Sequence, residues 1–185
     1  LTRTKDVYVG LYERTQIAEK FDGDLFVSIH CNATDDRAAA RRARGVEFWY
    51  WNANSATSAA AKYLEKLEND EGHADGIGDA APGTRRLIGS LMADQLESMA
   101  LRSAEVCEVF NAAFKKVSYF REYNRGVKSA RFKVLETYQM PSVLIEIGFL
   151  SHPTESRNLV SSSFQQTTAQ ALADAIEKTA STLKE

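Results

Sequence analysis

Val143-Leu144-Ile145-Glu146-Ile147-Gly148-Phe149-Leu150 holds a single carboxylate, and every neighbour of Glu146 in the run is apolar or Gly. A run of this kind reads as a buried strand, and the loop at Met140-Pro141 sets it off from what comes before. An unpaired charge in such surroundings is very expensive, so Glu146 must be paired, metal-bound or protonated. Burial also raises the pKa of a carboxyl group, which suits a general acid/base working near neutral pH. A salt bridge to a buried arginine is the plainer reading of the same residue.

Working outward, Leu25-Phe26-Val27-Ser28-Ile29-His30 is a second short apolar run, bounded by Asp22-Gly23-Asp24, and predicts a strand buried on both faces. Val46 to Trp51 predicts another, rich in aromatic and β-branched residues, and Phe132-Lys133-Val134-Leu135 predicts a fourth. Helical spacing runs from Leu11 to Phe21, with Leu11, Ile17, Ala18 and Phe21 on one stripe. It returns from Ser55 to Asn69, with Ala60, Leu64 and Leu67 aligned and a cap at Ser55 or Ser58, and again from about Arg85 to Val117. The capping box Ser162-Ser163-Phe164-Gln165-Gln166 opens a last helix that buries Leu172, Ile176 and Leu183. Strands alternating with helices predict an α/β fold: a central, mostly parallel (mixed) twisted sheet with helices on both faces.

The chain has 185 residues, 44% apolar and 26% charged, which suits one compact globular domain and argues against disorder. A formal charge of -2 gives no general attraction to nucleic acid or anionic lipid. No apolar stretch reaches the roughly 18 residues that a membrane-spanning helix needs. Cys31 and Cys107 show neither zinc-ribbon nor CxxC spacing, so they are either small buried apolar residues or a disulfide pair.

Ligands in open α/β sheets bind outside the carboxyl ends of strands, and His30 ends one. Its imidazole either coordinates zinc there or serves as a structural hydrogen-bonding group. Arg37, Arg41, Arg42 and Arg44 form a basic loop that is either simply solvated or meets anionic glycan and peptide carboxylates. Trp49, Tyr50 and Trp51 either stack on sugar or fill the core.

Taken in order, six segments carry a resemblance that runs through essentially the whole chain. They are Leu1-Thr2-Arg3 with Leu11-Tyr12-Glu13-Arg14-Thr15; Asp24 to Ala33, around Ser28-Ile29-His30-Cys31-Asn32; Arg44-Gly45-Val46-Glu47; Arg125-Gly126-Val127-Lys128; and Met140-Pro141-Ser142, followed by Val143 to Ser151. This pattern resembles the zinc-dependent N-acetylmuramoyl-L-alanine amidases of the Amidase type 3 group. The resemblance implies a Zn²⁺ held by His, Glu and a second His, with a position open for water. His30 matches the second of those histidines, and Glu146 matches the carboxylate acting as general base. The implied reaction cuts the amide between the lactyl group of N-acetylmuramic acid and the first L-alanine of the peptide stem of peptidoglycan. The first zinc His and the zinc Glu of the pattern are expected upstream of Leu1, with the strand-helix-strand segment that bears them. His73 and His152 match no ligand position, and His152 beside Pro153 is expected in a loop. A catalytically inactive relative that binds peptidoglycan or a partner is the alternative.

Gly72, Gly76, Gly78, Pro82 and Gly83 break the helical pattern and predict a surface excursion. The helix ending Leu64-Glu65-Lys66-Leu67-Glu68-Asn69, followed by this insertion at about residues 70–90, is similar to the cell-division amidases. That similarity implies an inserted regulatory region whose glutamate occupies the open metal position until an activator protein withdraws it. Glu68 and Glu71 are the candidates, against the plainer reading of a solvated acidic helix end. A periplasmic or extracellular place in the cell envelope is implied as well.

Overall fold

Phe26–Asn32 (β1), Val46–Trp51 (β2), Asn124–Ala130 (β3) and Ser142–Phe149 (β4) form a sheet in the order β1-β4-β2-β3 in the computed structural model, which describes residues 1–54, 59–70 and 82–182. Strand directions follow from backbone hydrogen bonds. The Phe26 N–H donates to Pro141 O and the Leu150 N–H to Asn32 O, so β1 and β4 start and end together, in parallel. The Val46 N–H donates to Tyr123 O and the Asn52 N–H to Ala130 O, which makes β2 and β3 parallel. β2 and β4 are antiparallel, with Glu47 opposite Glu146 and Trp49 opposite Leu144. The sheet is therefore mixed and mostly parallel, as the alternation of elements predicts.

The helices are Leu11–Lys20 (α1), Arg37–Ala40 (α2), Ala59–Asp70 (α3), Pro82–Phe114 (α4), Ser118–Glu122 (α5), Glu155–Leu159 (α6) and Ser162–Thr182 (α7). No helix among the described residues is long and apolar enough to cross a membrane. The predicted cap at Ser55 or Ser58, the glycine-rich stretch with Glu71 and His73, and Leu183 lie outside the described residues. Residues 82–90 of the predicted insertion belong to α4.

Several expectations are corrected. Phe132 to Leu135 is not a strand: Lys133–Leu135 is a 3-10 turn whose Val134 and Leu135 are buried. Burial alone explains its apolar content, and a short apolar run does not distinguish turn from strand. The strand that does form, β3, is polar and half-buried along most of its length, so it gives no hydrophobic signal. β1 is covered on one face only. Phe26, Ser28 and Asn32 are buried, whereas Ile29 and Cys31 are exposed, as suits the strand at one end of the sheet order. Cys31 is thus an exposed free thiol and Cys107 a buried one, with no disulfide between them. On α1 the buried residues are Leu11 and Thr15, and Phe21 is exposed. On α7 the buried stripe is Thr168, Ala171, Ala175 and Thr179, while Ile176 faces solvent. Small side chains let that helix pack closely, so its contact face is not its most apolar one.

The chain divides into two compact units. One comprises Leu1–Phe26, Tyr50–Ser103 and Ser129–Ser142; the other comprises Val27–Trp49, Ala104–Lys128 and Val143–Glu185. In the first, the 3-10 turn packs against α1 and α3. Thr137 donates to Glu19 at 2.8 Å, and the Lys133 N–H donates to Asn69 at 2.8 Å. In the second, Phe48, Phe114, Phe120 and Phe164 form an aromatic chain with centroids 4.8–5.5 Å apart. Such pairs add to the burial of their area.

A buried carboxylate clasps the second unit together. Oε1 of Glu155 accepts the Gly45 N–H at 2.7 Å and the Tyr119 hydroxyl, and Oε2 accepts the Phe149 N–H at 2.7 Å. The start of β2, the end of β4 and α5 are thereby tied to the first turn of α6. Burial, and then the hydrogen bond to Glu155, push the Tyr119 hydroxyl well above its ordinary range, so it remains a donor.

Candidate active site

Period-two alternation along β1 puts Ser28, His30 and Asn32 on one face. Ser28 Oγ lies 2.8 Å from His30 Nε2, a contact that orients the ring. On the neighbouring parallel strand β4, Glu146 has a relative exposure of 0%. A ring nitrogen of His30 and a carboxylate oxygen of Glu146 lie within 4.8 Å of each other. Two residues more than a hundred positions apart in sequence therefore meet near the carboxyl end of a strand. The imidazole nitrogen is a donor that suits zinc, and a buried carboxylate beside it can serve either as a second donor or as a base toward water.

The other candidates belong to other elements of the fold. Glu68 is half-buried on α3, in the first unit, with one carboxylate oxygen withdrawn from solvent. His152 is buried and structural: its Nδ1 accepts the N–H groups of Thr154 at 3.2 Å and Glu155 at 3.3 Å, at the start of α6. Trp49 and Trp51 are buried core residues. Arg37 heads the short α2, capped by Asp36, and Arg44 lies over the Tyr123 ring at 3.7 Å.

Sequence reasoning gave no role to Glu47, which is 2% exposed and sits opposite Glu146. Its Oε1 accepts Arg125 Nε at 2.5 Å and Lys128 Nζ at 2.7 Å, and its Oε2 accepts the Trp49 indole N–H at 3.1 Å. The signal available was a charged residue in an otherwise apolar strand, the same anomaly that singled out Glu146.

Burial alone raises the Glu47 pKa, but the pull of Lys128 and Arg125 outweighs it and leaves the carboxyl below its ordinary range. A depressed folded pKa contributes stability that is fully present above the unfolded value, about 4.3, and is lost as the pH falls through the folded one. Glu47→Gln is therefore expected to lower the urea midpoint at pH 7, and its deficit against wild type should shrink as the pH drops below about 4. A deficit that stays constant down to about pH 3 would show that the ion pairs do not set that carboxylate's contribution.

The profile of the Amidase_3 family, described as N-acetylmuramoyl-L-alanine amidase, matches residues 1–178. The chain belongs to this amidase family. Among curated relatives, N-acetylmuramoyl-L-alanine amidase AmiA of Salmonella typhimurium is 33% identical over 95% of the chain and 58% of its own length. AmiC of Neisseria meningitidis is 31% identical over 96% of the chain and 41% of its own length. The chain thus spans about half the length of these relatives. Among solved structures, amidase AmiC2 of Nostoc punctiforme superposes with a TM-score of 0.61 at 26% identity, over 96% of this chain and 69% of that one. The CwlD amidase of Clostridioides difficile, solved in complex with the GerS lipoprotein, shares the fold with a TM-score of 0.63 at 22% identity, over 98% of this chain and 75% of that one.

Proposed function

We propose that this member of the amidase family provides the base and one metal ligand of a zinc-dependent N-acetylmuramoyl-L-alanine amidase. The bond cleaved joins the lactyl group of N-acetylmuramic acid to the first L-alanine of the peptidoglycan stem. The observation that carries this reading is the approach of His30 and the fully buried Glu146 to within 4.8 Å, on adjacent parallel strands of a chain that matches the family over residues 1–178. His30 would hold the ion as one of its ligands. Zinc, when bound, supplies a Lewis acid for the scissile carbonyl and makes water a stronger acid. Glu146 accepts a proton from the attacking water and returns it to the leaving amine. Ser28, through His30 Nε2, keeps the imidazole aimed.

The proposal includes a role in daughter-cell separation within the cell envelope; the likeness to the amidases AmiA and AmiC supports the amidase part of it. Control by a partner protein is supported by the CwlD–GerS complex. Within that control, Glu68 on α3 is the carboxylate proposed to hold the metal's open position until an activator withdraws it. His30→Ala in the full-length protein is expected to reduce zinc, measured by elemental analysis, from stoichiometric to background and to stop release of peptide from purified sacculi. Retention of full zinc would overturn the ligand assignment. In the same assay Glu68→Ala should raise hydrolysis without activator, and an unchanged basal rate would remove the regulatory role.

A further inference from the structure

Glu47, Arg125 and Lys128 form an ionic cluster on the sheet face that carries Glu146, and the proposed hydrolysis leaves it unexplained. Directly opposed residues of an antiparallel pair point to the same face, so the Glu47 and Glu146 side chains are neighbours. Arg125 and Lys128 are three positions apart on β3, where regular alternation would send them to opposite faces. A bulge at Gly126 prevents this. Between its first and last hydrogen bonds to β3, β2 advances six residues, from Val46 to Asn52, while β3 advances seven, from Tyr123 to Ala130. Gly126 has φ +76 and donates its N–H to Asn124 Oδ1 at 2.9 Å. One extra residue with a left-handed glycine is the form such a bulge takes. It lets both cations reach the same oxygen, Oε1 of Glu47.

The arrangement holds more cation than Glu47 needs. Three donors fill the Glu47 carboxylate, whose side chain is only 3% exposed, while Arg125 and Lys128 are 34% and 32% exposed. Arg125 meets Glu47 through Nε, and a guanidinium carries two terminal nitrogens along another edge that can take a second anion. The guanidinium carbon lies 5.2 Å from the Phe149 ring centroid and Lys128 Nζ lies 5.1 Å from that of Trp49, so aromatic faces fix both heads. A pre-oriented guanidinium fork is suited to bidentate recognition of a carboxylate.

We propose that Arg125, assisted by Lys128, is a specificity subsite for a free carboxylate on the peptide stem of the substrate. Glu47 and the Gly126 bulge are the positioning elements that hold it beside Glu146. This rests on the amidase reading of the site and adds to it the part of the substrate that is recognised. The ionic contact forms in the bound substrate and in the transition state alike, so its loss is felt mainly in KM.

The test uses the full-length protein and two soluble muropeptides, one with free stem carboxylates and one with those groups amidated. Wild type is expected to prefer the free acid by about tenfold or more in kcat/KM, the discrimination given by one charge-assisted bidentate contact. Arg125→Met should abolish that preference by raising KM for the free acid far more than for the amidated substrate. Arg125→Lys, which keeps the ion pair to Glu47 but not the fork, should fall between them. Loss of kcat on both substrates alike, or a wild type indifferent to amidation, would overturn the subsite. Cleavage of neither muropeptide by wild type, with sacculi also left intact, would instead overturn the amidase reading beneath it.

Discussion

Glu146→Gln, in the full-length protein with zinc bound, is expected to lower kcat for sacculus hydrolysis by about 10²- to 10⁴-fold, the range a positioned general base contributes. The substitution keeps the shape of the side chain, so it opens no cavity in β4, where Glu146 and its neighbours from Val143 to Ile145 are buried. It also takes a charge out of a site with 0% exposure, so no stability loss need accompany the loss of rate. The two effects separate cleanly if zinc content, melting temperature and turnover are measured on one preparation. Zinc should remain stoichiometric, because His30 and not Glu146 is the proposed ligand. The variant should fold as wild type does, and the single-turnover rate should collapse. Digestion of sacculi at the wild-type rate would remove the general-base role, and zinc lost together with activity would make Glu146 a ligand instead.

Glu146 was legible in the sequence because a carboxylate inside Leu144-Ile145-Glu146-Ile147 breaks an apolar pattern, and the structure leaves it fully buried. His30 was legible only as the last residue of a strand pattern; its partner Ser28 lies two residues away on the same face, an arrangement that only the strand geometry makes meaningful. The parallel pairing of β1 with β4 joins segments far apart in the chain, and periodicity carries no record of which strands become neighbours. β3 escaped notice because Asn124-Arg125-Gly126-Val127-Lys128 is polar and kinked, features that lower strand propensity. Those same features are what gather two cations on Glu47. Glu155 was invisible for a different reason. Its acceptors serve the backbone N–H groups of Gly45 and Phe149, and no side-chain pattern announces a backbone partner.

Gly45 and Gly126 both have positive φ, +104 and +76, yet alanine at the two positions is expected to have very different consequences. At Gly126 a Cβ meets nothing within 4 Å, so Gly126→Ala incurs only the backbone penalty for a left-handed residue, about 1–2 kcal/mol. At Gly45 the Cβ would stand 1.7 Å from the carbonyl oxygen of Tyr123 and 2.7 Å from its carbon, and both are backbone atoms. No rotamer change relieves that collision. The same carbonyl accepts the Val46 N–H at 3.1 Å, the bond that begins the pairing of β2 with β3, and the Gly45 N–H itself donates to Glu155 at 2.7 Å. Any backbone shift that makes room for the methyl group therefore loosens the sheet at one side and strips a buried carboxylate of a donor at the other. Gly45→Ala is expected to destabilise by about 4 kcal/mol or more, the range reserved for changes that strain the backbone and break a buried network together. Urea unfolding of the two variants beside wild type checks this, with Gly45→Ala largely unfolded under conditions where Gly126→Ala still shows a full native baseline. Equal midpoints for the two would mean that the Tyr123 carbonyl yields freely, and that the clasp at Glu155 does not hold the start of β2 in place.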